Sequence, residues 1–389
     1  MQGMKVSCSV GTAVPYEEFM ALINDVFGFT GTGRDFRTLL PKLYRPGRSP
    51  QCENYVVTED GRCVAAVGAF SHKISVCGIT LPCRGIGNVA VASEARGRGY
   101  MKDCMHLALS DMVKDGIALS TLGGRRQRYR YFSYEKAGLC YTFVLNSDNL
   151  RHTYGAERGT RFALSRVEPG DASCLDRIMA LSATGPYVPL RPAADFYDIM
   201  TNWQATLWAG WEGDTLAGYA IVEPDGLVSE IKVHRPEDFM AFLADFHDAL
   251  TADSMRVRLP AHQAAYVDAL SPVAEGVQVG CSMSYTVLNY RLVTEAFFRL
   301  KATFDPLPDG SFDLLIHGFA GDERFRMTVR GGVPVTEDAD PTQVPDLELS
   351  HEEAMSVLFA PVCPARRQLP PTLRLWLPLP IWMYRADEV

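Results

Sequence analysis

The sequence of 389 residues lacks the patterns that mark zinc, membrane-spanning and nucleic-acid-binding proteins. Its eight histidines include no His-x-x-x-His pair and its ten cysteines include no Cys-x-x-Cys pair, so no metal site is predicted. No stretch approaches the ~20 uninterrupted apolar residues of a membrane-spanning helix. Lys and Arg number 38 against 46 Asp and Glu, and this net charge of −8 lacks the basic excess of nucleic-acid-binding proteins.

The N-terminal segment and the cysteines both favour a reduced, cytoplasmic protein. Met1 to Gly11 has no basic start followed by a long apolar core, so we expect no signal peptide. The cysteines stand singly in apolar strand patterns, as Cys63 and Cys140 do, or on a helix, as Cys104 does. Because single cysteines are usually buried as small hydrophobic residues, we predict that they are reduced.

The first 150 residues alternate between strand and helix patterns. Strands joined by helices predict a mixed sheet with βα units, within a chain long enough for two or three domains. The predicted elements include a helix over Val14 to Phe27, a strand over Gly87 to Val91, a helix over Tyr100 to Lys114 and a helix near Tyr129 to Lys136.

The next stretch repeats the order of hairpin, turn, strand and helix, which indicates a weak internal duplication. Its strand over Leu227 to Val233 leads into His234-Arg235-Pro236-Glu237, where the first unit has Arg96-Gly97-Arg98-Gly99. Proline lacks the N–H group that binds phosphate, and glutamate repels phosphate. We therefore predict that the second unit holds no phosphate-bearing ligand.

A third unit begins near Met283 with a strand, a helix over Val293 to Lys301 and a further hairpin. Ser350, followed three residues later by Glu353, is a capping-box pattern that predicts a helix start. Beyond that helix, the proline-rich stretch from Pro361 to Pro380 predicts an extended tail that leads to Val389.

The loop after the Gly87–Val91 strand predicts an anion-binding site. Free N–H groups and the dipole at the start of the following helix favour an anion, and Gly97 and Gly99 allow a close backbone approach. Arg96, Arg98 and Lys102 add positive charge. The alternative from the residues alone is a helix cap surrounded by solvated arginines.

The run Arg96-x-x-Gly99-x-Met101 resembles the pyrophosphate loop of the GNAT family of N-acetyltransferases, whose pattern is Arg/Gln-x-x-Gly-x-Gly/Ala. Met101 departs from the small sixth residue, as in the enhanced-intracellular-survival (Eis) branch of that family. The resemblance implies a mixed α+β and α/β fold. The implied fold has two tandem GNAT-like mixed β-sheet domains, at residues 1–150 and 151–283. They are followed by a sterol carrier protein 2-like (SCP2-like) α+β domain at residues 284–389. The second GNAT-like domain would be degenerate.

The resemblance also implies direct transfer of an acetyl group from acetyl-CoA, bound as a substrate, to a primary amine, without a metal. Aminoglycosides, polyamines and lysine side chains all remain open as acceptors, and the family's assembly implies a homo-oligomer, a trimer or a hexamer. The implied coenzyme-binding residues are Val89, Ala90, Val91, Arg96, Gly97, Arg98, Gly99, Tyr100, Met101, Lys102, Gly124 and Arg125.

Two catalytic groups follow from the same resemblance. Tyr129 lies in register with the tyrosine that protonates the departing coenzyme A sulfur, and a phenol with a pKa of about 10 is a suitable acid at neutral pH. Tyr131 and Tyr134 remain alternatives. The terminal carboxylate of Val389 would act as, or orient, the base for the amine, and a frayed tail is the alternative.

A different function class is compatible with the same organisation. The SCP2-like domain could bind a lipid or another small molecule while the first domain is an inactive relic. The intact loop from Arg96 to Met101, together with Tyr129, favours the enzyme.

Overall fold

A computed structural model describes residues 5–154, 160–250 and 253–389 of the chain. Residues 1–4, which belong to the segment predicted to carry no signal peptide, lie outside the described residues. Within these residues the strands form a thirteen-stranded sheet and a separate four-stranded sheet. None of the described helices is long and apolar enough to cross a bilayer.

The first unit contains six strands and six helices within the described residues. The strands are β1 (Val6–Val10), β2 (Asn54–Glu59), β3 (Arg62–Val76), β4 (Ile79–Val91), β5 (Leu119–Leu122) and β6 (Glu135–Asn146). The helices are α1 (Tyr16–Val26), α2 (Phe36–Leu39), α3 (Pro41–Tyr44), α4 (Tyr100–Lys114), α5 (Arg126–Tyr129) and α6 (Ser147–Tyr154).

The remaining elements follow in two groups. The second unit has β7 (Ala163–Arg166), α7 (Ala172–Ser182), β8 (Tyr187–Pro189), α8 (Phe196–Met200), β9 (Thr206–Glu212), β10 (Thr215–Val222), β11 (Leu227–Val233), α9 (Phe239–Leu250), β12 (Ser254–Pro260) and α10 (Ala264–Leu270). The third has β13 (Gly276–Val287), α11 (Tyr290–Ala302), β14 (Gly310–Gly318), β15 (Gly321–Arg330), β16 (Val333–Asp338), β17 (Leu347–Ser350), α12 (His351–Ala354) and α13 (Pro371–Trp376).

One continuous sheet joins the first two units. Its order is β1-β2-β3-β4-β5-β13-β6-β12-β11-β10-β9-β7, and β8 pairs with β3. Strand β13 fills the space between β5 and β6 and pairs antiparallel with both. Because β13 runs from Gly276 to Val287, it crosses the position, residues 283 and 284, at which the sequence divides the second unit from the third.

Helix α4 matches the sequence prediction in both of its bounds. Its buried residues Cys104, Met105, Ala108 and Leu109 recur at helical spacing and pack against the sheet. Helix α1 begins directly after Pro15, as expected of a residue with a fixed backbone angle at a helix start.

Two local predictions were wrong. The predicted helix from Tyr129 to Lys136 ends early, because Ser133 adopts a left-handed φ of 65° and β6 begins at Glu135, where it pairs with β13. The stretch from Pro361 to Pro380 is not fully extended, since it contains α13 with Pro371 at its first position. Leu373 and Trp376 of α13 are buried, so burial against the third unit favours the helix.

The C-terminal tail is docked and not frayed. Ile381, Trp382 and Met383 are each at most 1% exposed and belong to the core that the third unit shares with the sheet. The capping box at Ser350 is confirmed, with both of its reciprocal hydrogen bonds present. All ten cysteines fall within the described residues and are free thiols, although Cys8, Cys52 and Cys281 are exposed.

Candidate active site

Strands β4 and β5 form a wedge. Their parallel pairing runs from Cys83 to Ile86 on β4 and ends there. Directly beyond, β4 bulges, so that Asn88 and Val89 lie opposite a single residue of β3, and Asn88 takes a φ of 35°. The two strands then separate around a cavity of about 380 Å³. A bulge next to such an opening is typical of a site where a strand re-aims its backbone toward a ligand.

A buried hydrogen-bond chain fixes the bulge. The Tyr44 hydroxyl donates to Asn88 Oδ1 at 2.6 Å, and Asn88 Nδ2 donates to Asn54 Oδ1 at 2.7 Å. Gly68 is required beside this chain, because a Cβ there would lie 2.4 Å from Asn88 Oδ1. Sequence reasoning missed Asn88, although a Gly-Asn pair inside an apolar strand is itself a signal of irregular backbone.

The loop after β4 has the conformation that its glycines predict. Gly97 and Gly99 have φ values of 80° and 89°, and Gly99 is the N-terminal cap of α4. A Cβ at either glycine would meet open space, so both residues are required for their backbone angles alone. Because Gly99 has no side chain, no side-chain hydrogen bond caps the N–H groups at the start of α4.

The basic side chains of this loop are used unequally. Arg98 forms an ion pair with Glu59, and the Tyr100 hydroxyl donates to the same carboxylate at 2.6 Å. The Tyr100 hydrogen bond, and then Arg98, lower the pKa of Glu59. The Lys102 ammonium lies 4.7 Å from the centre of the Tyr131 ring, whereas Arg96 is exposed. Arg98 is thus paired with a carboxylate, whereas Arg96 and Lys102 keep their positive charge near the backbone N–H groups at the start of α4.

Tyr129 is positioned by the turn that follows β5. Its side chain is 7% exposed and lines the wedge cavity. A Cβ on Gly124 would lie 2.7 Å from the Tyr129 ring, so the glycine is required for this packing. Burial raises the pKa of Tyr129, which keeps its phenol protonated at neutral pH.

The two alternative tyrosines lie elsewhere. Tyr134 is fully buried, and its hydroxyl is within 2.6 Å of Ser120 Oγ. Tyr131 is 64% exposed on the surface. Of these three tyrosines, Tyr129 alone lines the cavity.

Val389, the last residue of the sequence, reaches the same cavity. It packs on the face of the sheet opposite α4, beside Phe70 and Tyr44. A Cβ on Gly85 would lie 2.6 Å from Val389 Cγ2, and a Cβ on Gly87 would lie 3.2 Å from its carbonyl carbon. The two strand glycines therefore make the room that the tail occupies.

Buried polar groups from the first two units hold the tail. Lys42 Nζ donates to the carbonyl oxygens of Ala386 at 2.8 Å and Glu388 at 2.6 Å. Asn202 Nδ2 donates to the Glu388 carbonyl oxygen at 2.9 Å. Burial lowers the pKa of Lys42 to about 8. The sequence contains no local signal for Lys42 or Asn202, since each contacts residues far away in the chain.

An ion-pair network anchors the same tail on its other side. Arg191 pairs with Asp387 at 2.8 Å and with Glu230 at 2.7 Å, and all three side chains are buried. Arg385 pairs with the buried Glu223 at 3.0 Å. Breaking one partner of such a buried pair is strongly destabilising, so these contacts fix the position of the tail.

The predicted site residues separate into two groups. Val89, Gly124, Arg125, Tyr129 and Val389 line the wedge cavity, which the loop residues from Arg96 to Lys102 do not line. That loop follows the end of β4 at Val91 and leads into α4. Ala90 is buried between the two groups, and Val91 ends the strand.

The equivalent place in the second unit differs in its chemistry. A 3-10 turn over Pro236–Asp238 follows β11, with Glu237 and Asp238 in its first turn. Arg235 and Arg161 both pair with Asp238. Acidic groups and a proline at this helix start disfavour an anion. Across the described residues, no group of three or more His, Cys, Asp or Glu side chains could hold a metal ion.

Comparison with known proteins identifies the first unit. Residues 11–137 match the family model of the acetyltransferase (GNAT) domain. A comparison with curated protein sequences finds no match.

Solved structures share the fold along most of the chain. Eis1 from Mycobacterium abscessus has a TM-score of 0.63 at 13% identity, over 100% of both chains. A probable N-acyltransferase from Enterococcus faecalis V583 has a TM-score of 0.63 at 17% identity, over 91% of this chain and 89% of its own. A GCN5-related N-acetyltransferase from Kribbella flavida has a TM-score of 0.60 at 20% identity, over 89% and 88%. These structures show the fold, while the family match over residues 11–137 shows a GNAT acetyltransferase domain and makes the chain an enzyme of the acyltransferase class.

Proposed function

We propose that this protein transfers an acetyl group from acetyl-CoA directly to a primary amine in the wedge between β4 and β5. The observation that carries the proposal is one cavity lined by the bulged strand at Asn88 and Val89, by Tyr129 and by Val389. The bulged strand, the buried Tyr129 phenol and the last residue of the sequence come together there from three distant parts of the sequence.

The donor side uses backbone groups more than side chains. The start of α4, with Gly97 and Gly99, binds the pyrophosphate, and the solvent-exposed Arg96 adds a positive charge. The thioester lies along β4, where a backbone N–H of the bulged segment donates to the acetyl carbonyl oxygen as negative charge develops. Arg125, exposed at the edge of the cavity, meets the coenzyme.

The transfer is a single displacement. The lone pair of the amine nitrogen attacks the thioester carbonyl carbon, a C–N bond forms and the C–S bond breaks. Tyr129 gives its proton to the departing thiolate, and the burial that raises its pKa keeps that proton available. The nitrogen, positively charged after the attack, releases one proton to solvent to give the neutral amide, and solvent returns a proton to the phenolate.

The amine must lose a proton before it attacks. The Val389 carboxylate receives that proton directly or through a water molecule, or orients the amine for its loss. Its intrinsic pKa of about 3.3–3.7 makes it a weak base in water. Lys42 and Asn202 act as positioning residues, because they hold the carbonyl of the preceding residue.

We extend the proposal to the organisation that the resemblance implies: a catalytic domain at 1–150, a degenerate domain at 151–283 and an SCP2-like domain at 284–389. Pro236 and Glu237 support the degenerate state of the second domain. A cytoplasmic homo-oligomer, trimeric or hexameric, belongs to the same proposal. Val277 and Val279, 51% and 55% exposed on β13, give the surface an apolar area that suits self-association.

The test combines binding and turnover. Calorimetry should give one coenzyme A site per chain, and acetyl-CoA with an amine panel should release free thiol and the acetylated amine. Two sites per chain, or none, would contradict the proposal, and so would an acetyl group found covalently on the enzyme during turnover. Light scattering of the purified protein measures the oligomeric state.

A further inference from the structure

Three aromatic residues besides Tyr129 line the cavity, and we call Phe27, Phe36 and Trp203 the aromatic wall. Phe27 and Phe36 from the first unit pack edge to face with ring centres 5.0 Å apart. Trp203 comes from the second unit and lines the same cavity. The second unit therefore supplies a large aromatic surface to the cavity of the first.

The backbone at Trp203 is held in an uncommon conformation. Trp203 and Gln204 have φ values of 59° and 61°, which two successive non-glycine residues rarely adopt. The preceding residue, Asn202, is the one that donates to the tail carbonyl of Glu388. The same short segment thus holds the tail and presents the indole, and such outliers are concentrated at functional sites.

The charges around the cavity do not suit a polycation. Besides Arg125, which the proposed function assigns to the coenzyme, Arg128 and Arg385 line the cavity, against the carboxylates of Glu388 and Val389. Arg385 lies 3.6 Å from Glu388, which removes part of the negative charge that a second ammonium group would need. A volume of about 380 Å³ must also hold the acetyl end of the donor.

We propose that the acceptor is a primary amine on an apolar or aromatic body, which packs against Phe27, Phe36 and Trp203, and that Trp203 sets this specificity. This inference rests on the proposed function. One ammonium group meets the terminal carboxylate, and the body of the acceptor covers the aromatic wall, where π faces favour apolar and aromatic contacts. A polyamine would leave its further charges beside arginines.

The experiment compares phenethylamine, ethylamine and spermidine as acceptors for the full-length enzyme. We expect kcat/KM for phenethylamine to exceed that for spermidine by at least about tenfold, since one methylene-sized contact alone is worth ~10-fold or more. Trp203→Ala should lower kcat/KM for phenethylamine by about tenfold, mainly through KM, and should lower kcat/KM for ethylamine by a clearly smaller factor, because ethylamine has no ring to lose contact with the indole. Trp203→Phe, which keeps a ring, should restore most of the phenethylamine activity.

The outcomes separate this inference from the proposed function. Preference for spermidine, or an equal loss for phenethylamine and ethylamine in Trp203→Ala, would overturn the inference while acetyl transfer stands. Acetylation of no amine by a protein that binds acetyl-CoA would overturn the proposed function itself. If Trp203→Ala fails to fold, Phe27→Ala provides the same comparison, because Phe27 is 44% exposed and its loss disturbs the core less.

Discussion

Replacing Gly85 by alanine tests whether the docked tail takes part in catalysis. Gly85 lies on β4, and the Cβ of an alanine there would lie 2.6 Å from Val389 Cγ2. Gly85 does not adopt a positive φ, so the backbone accepts alanine. The substitution therefore acts on the tail and not on the strand.

The expected size of the effect follows from that distance. Ordinary van der Waals contact begins at 3.4 Å, so Val389 Cγ2, which would lie 2.6 Å from the new Cβ, must move by about 0.8 Å and shift the residue that carries it. A misplacement of ~1 Å in a catalytic group can cost ~10²-fold in rate. We expect kcat for amine acetylation to fall between about tenfold and a hundredfold, while the dissociation constant of acetyl-CoA stays unchanged.

A double substitution makes the comparison specific. Val389→Ala removes the methyl groups that collide with the new Cβ and retains the terminal carboxylate. Gly85→Ala combined with Val389→Ala should therefore recover kcat to within a few-fold of Val389→Ala alone. Gly280→Ala is the matched control, because it changes a strand glycine whose Cβ would meet open space.

Steady-state thiol release gives kcat, and calorimetry gives the coenzyme affinity. Wild-type turnover in Gly85→Ala would mean that the position of Val389 is irrelevant to catalysis. A double variant as slow as Gly85→Ala would locate the damage in the strand and not in the tail, which would also refute the reasoning.

Four further predictions follow from the same geometry. Tyr129→Phe should lower kcat by ~10²–10⁴-fold at unchanged acetyl-CoA affinity, and Tyr131→Phe should not; the reverse result in a kinetic assay would reassign the acid. Gly99→Glu should abolish coenzyme A binding in calorimetry, whereas the neutral Gly99→Asn, which tolerates a positive φ, should retain more of it. Residues appended after Val389 should lower turnover, whereas an N-terminal tag on the same enzyme should not, since an appended amide replaces the carboxylate. Burial lowers the pKa of His262 to about 3 from its ordinary value of 6.5, so the unfolded chain takes up that proton first as pH falls. Protonation of His262 in the unfolded chain should therefore lower the free energy of unfolding by about 2 kcal/mol from pH 7 to pH 5. Urea titration at the two pH values should show a smaller fall in His262→Gln.

Local patterns in the sequence predicted the elements whose causes are local. Helix α4 and its glycine loop follow from apolar residues at helical spacing and from backbone angles that only glycine adopts freely. The contrast between this loop and Pro236-Glu237 in the second unit is also visible in the sequence, because proline lacks an N–H group whatever the fold. The capping box at Ser350 belongs to the same class.

Other features needed the tertiary structure because no local rule determines them. The helix predicted over Tyr129 to Lys136 has good local spacing, yet pairing with β13 turns Glu135 onward into a strand. Nothing in the local sequence distinguishes the glycines at positions 85 and 87 from other strand glycines. The structure shows that Val389 packs where their Cβ atoms would lie. Tertiary contacts override local preference in each case.

The sequence by itself indicated that one loop suits a phosphate, and the family resemblance that it carries named Tyr129 and the tail as candidates for catalysis. Only the tertiary structure brought Tyr129, Val389 and Trp203 to one cavity, and placed Lys42 and Asn202 on the backbone of the tail. Sequence reasoning missed Lys42, Asn202 and Trp203. Lys42 lies 344 positions before Ala386, the residue whose carbonyl it binds. Periodicity and capping rules act over a few residues, whereas a contact across such a separation depends on how the whole chain packs.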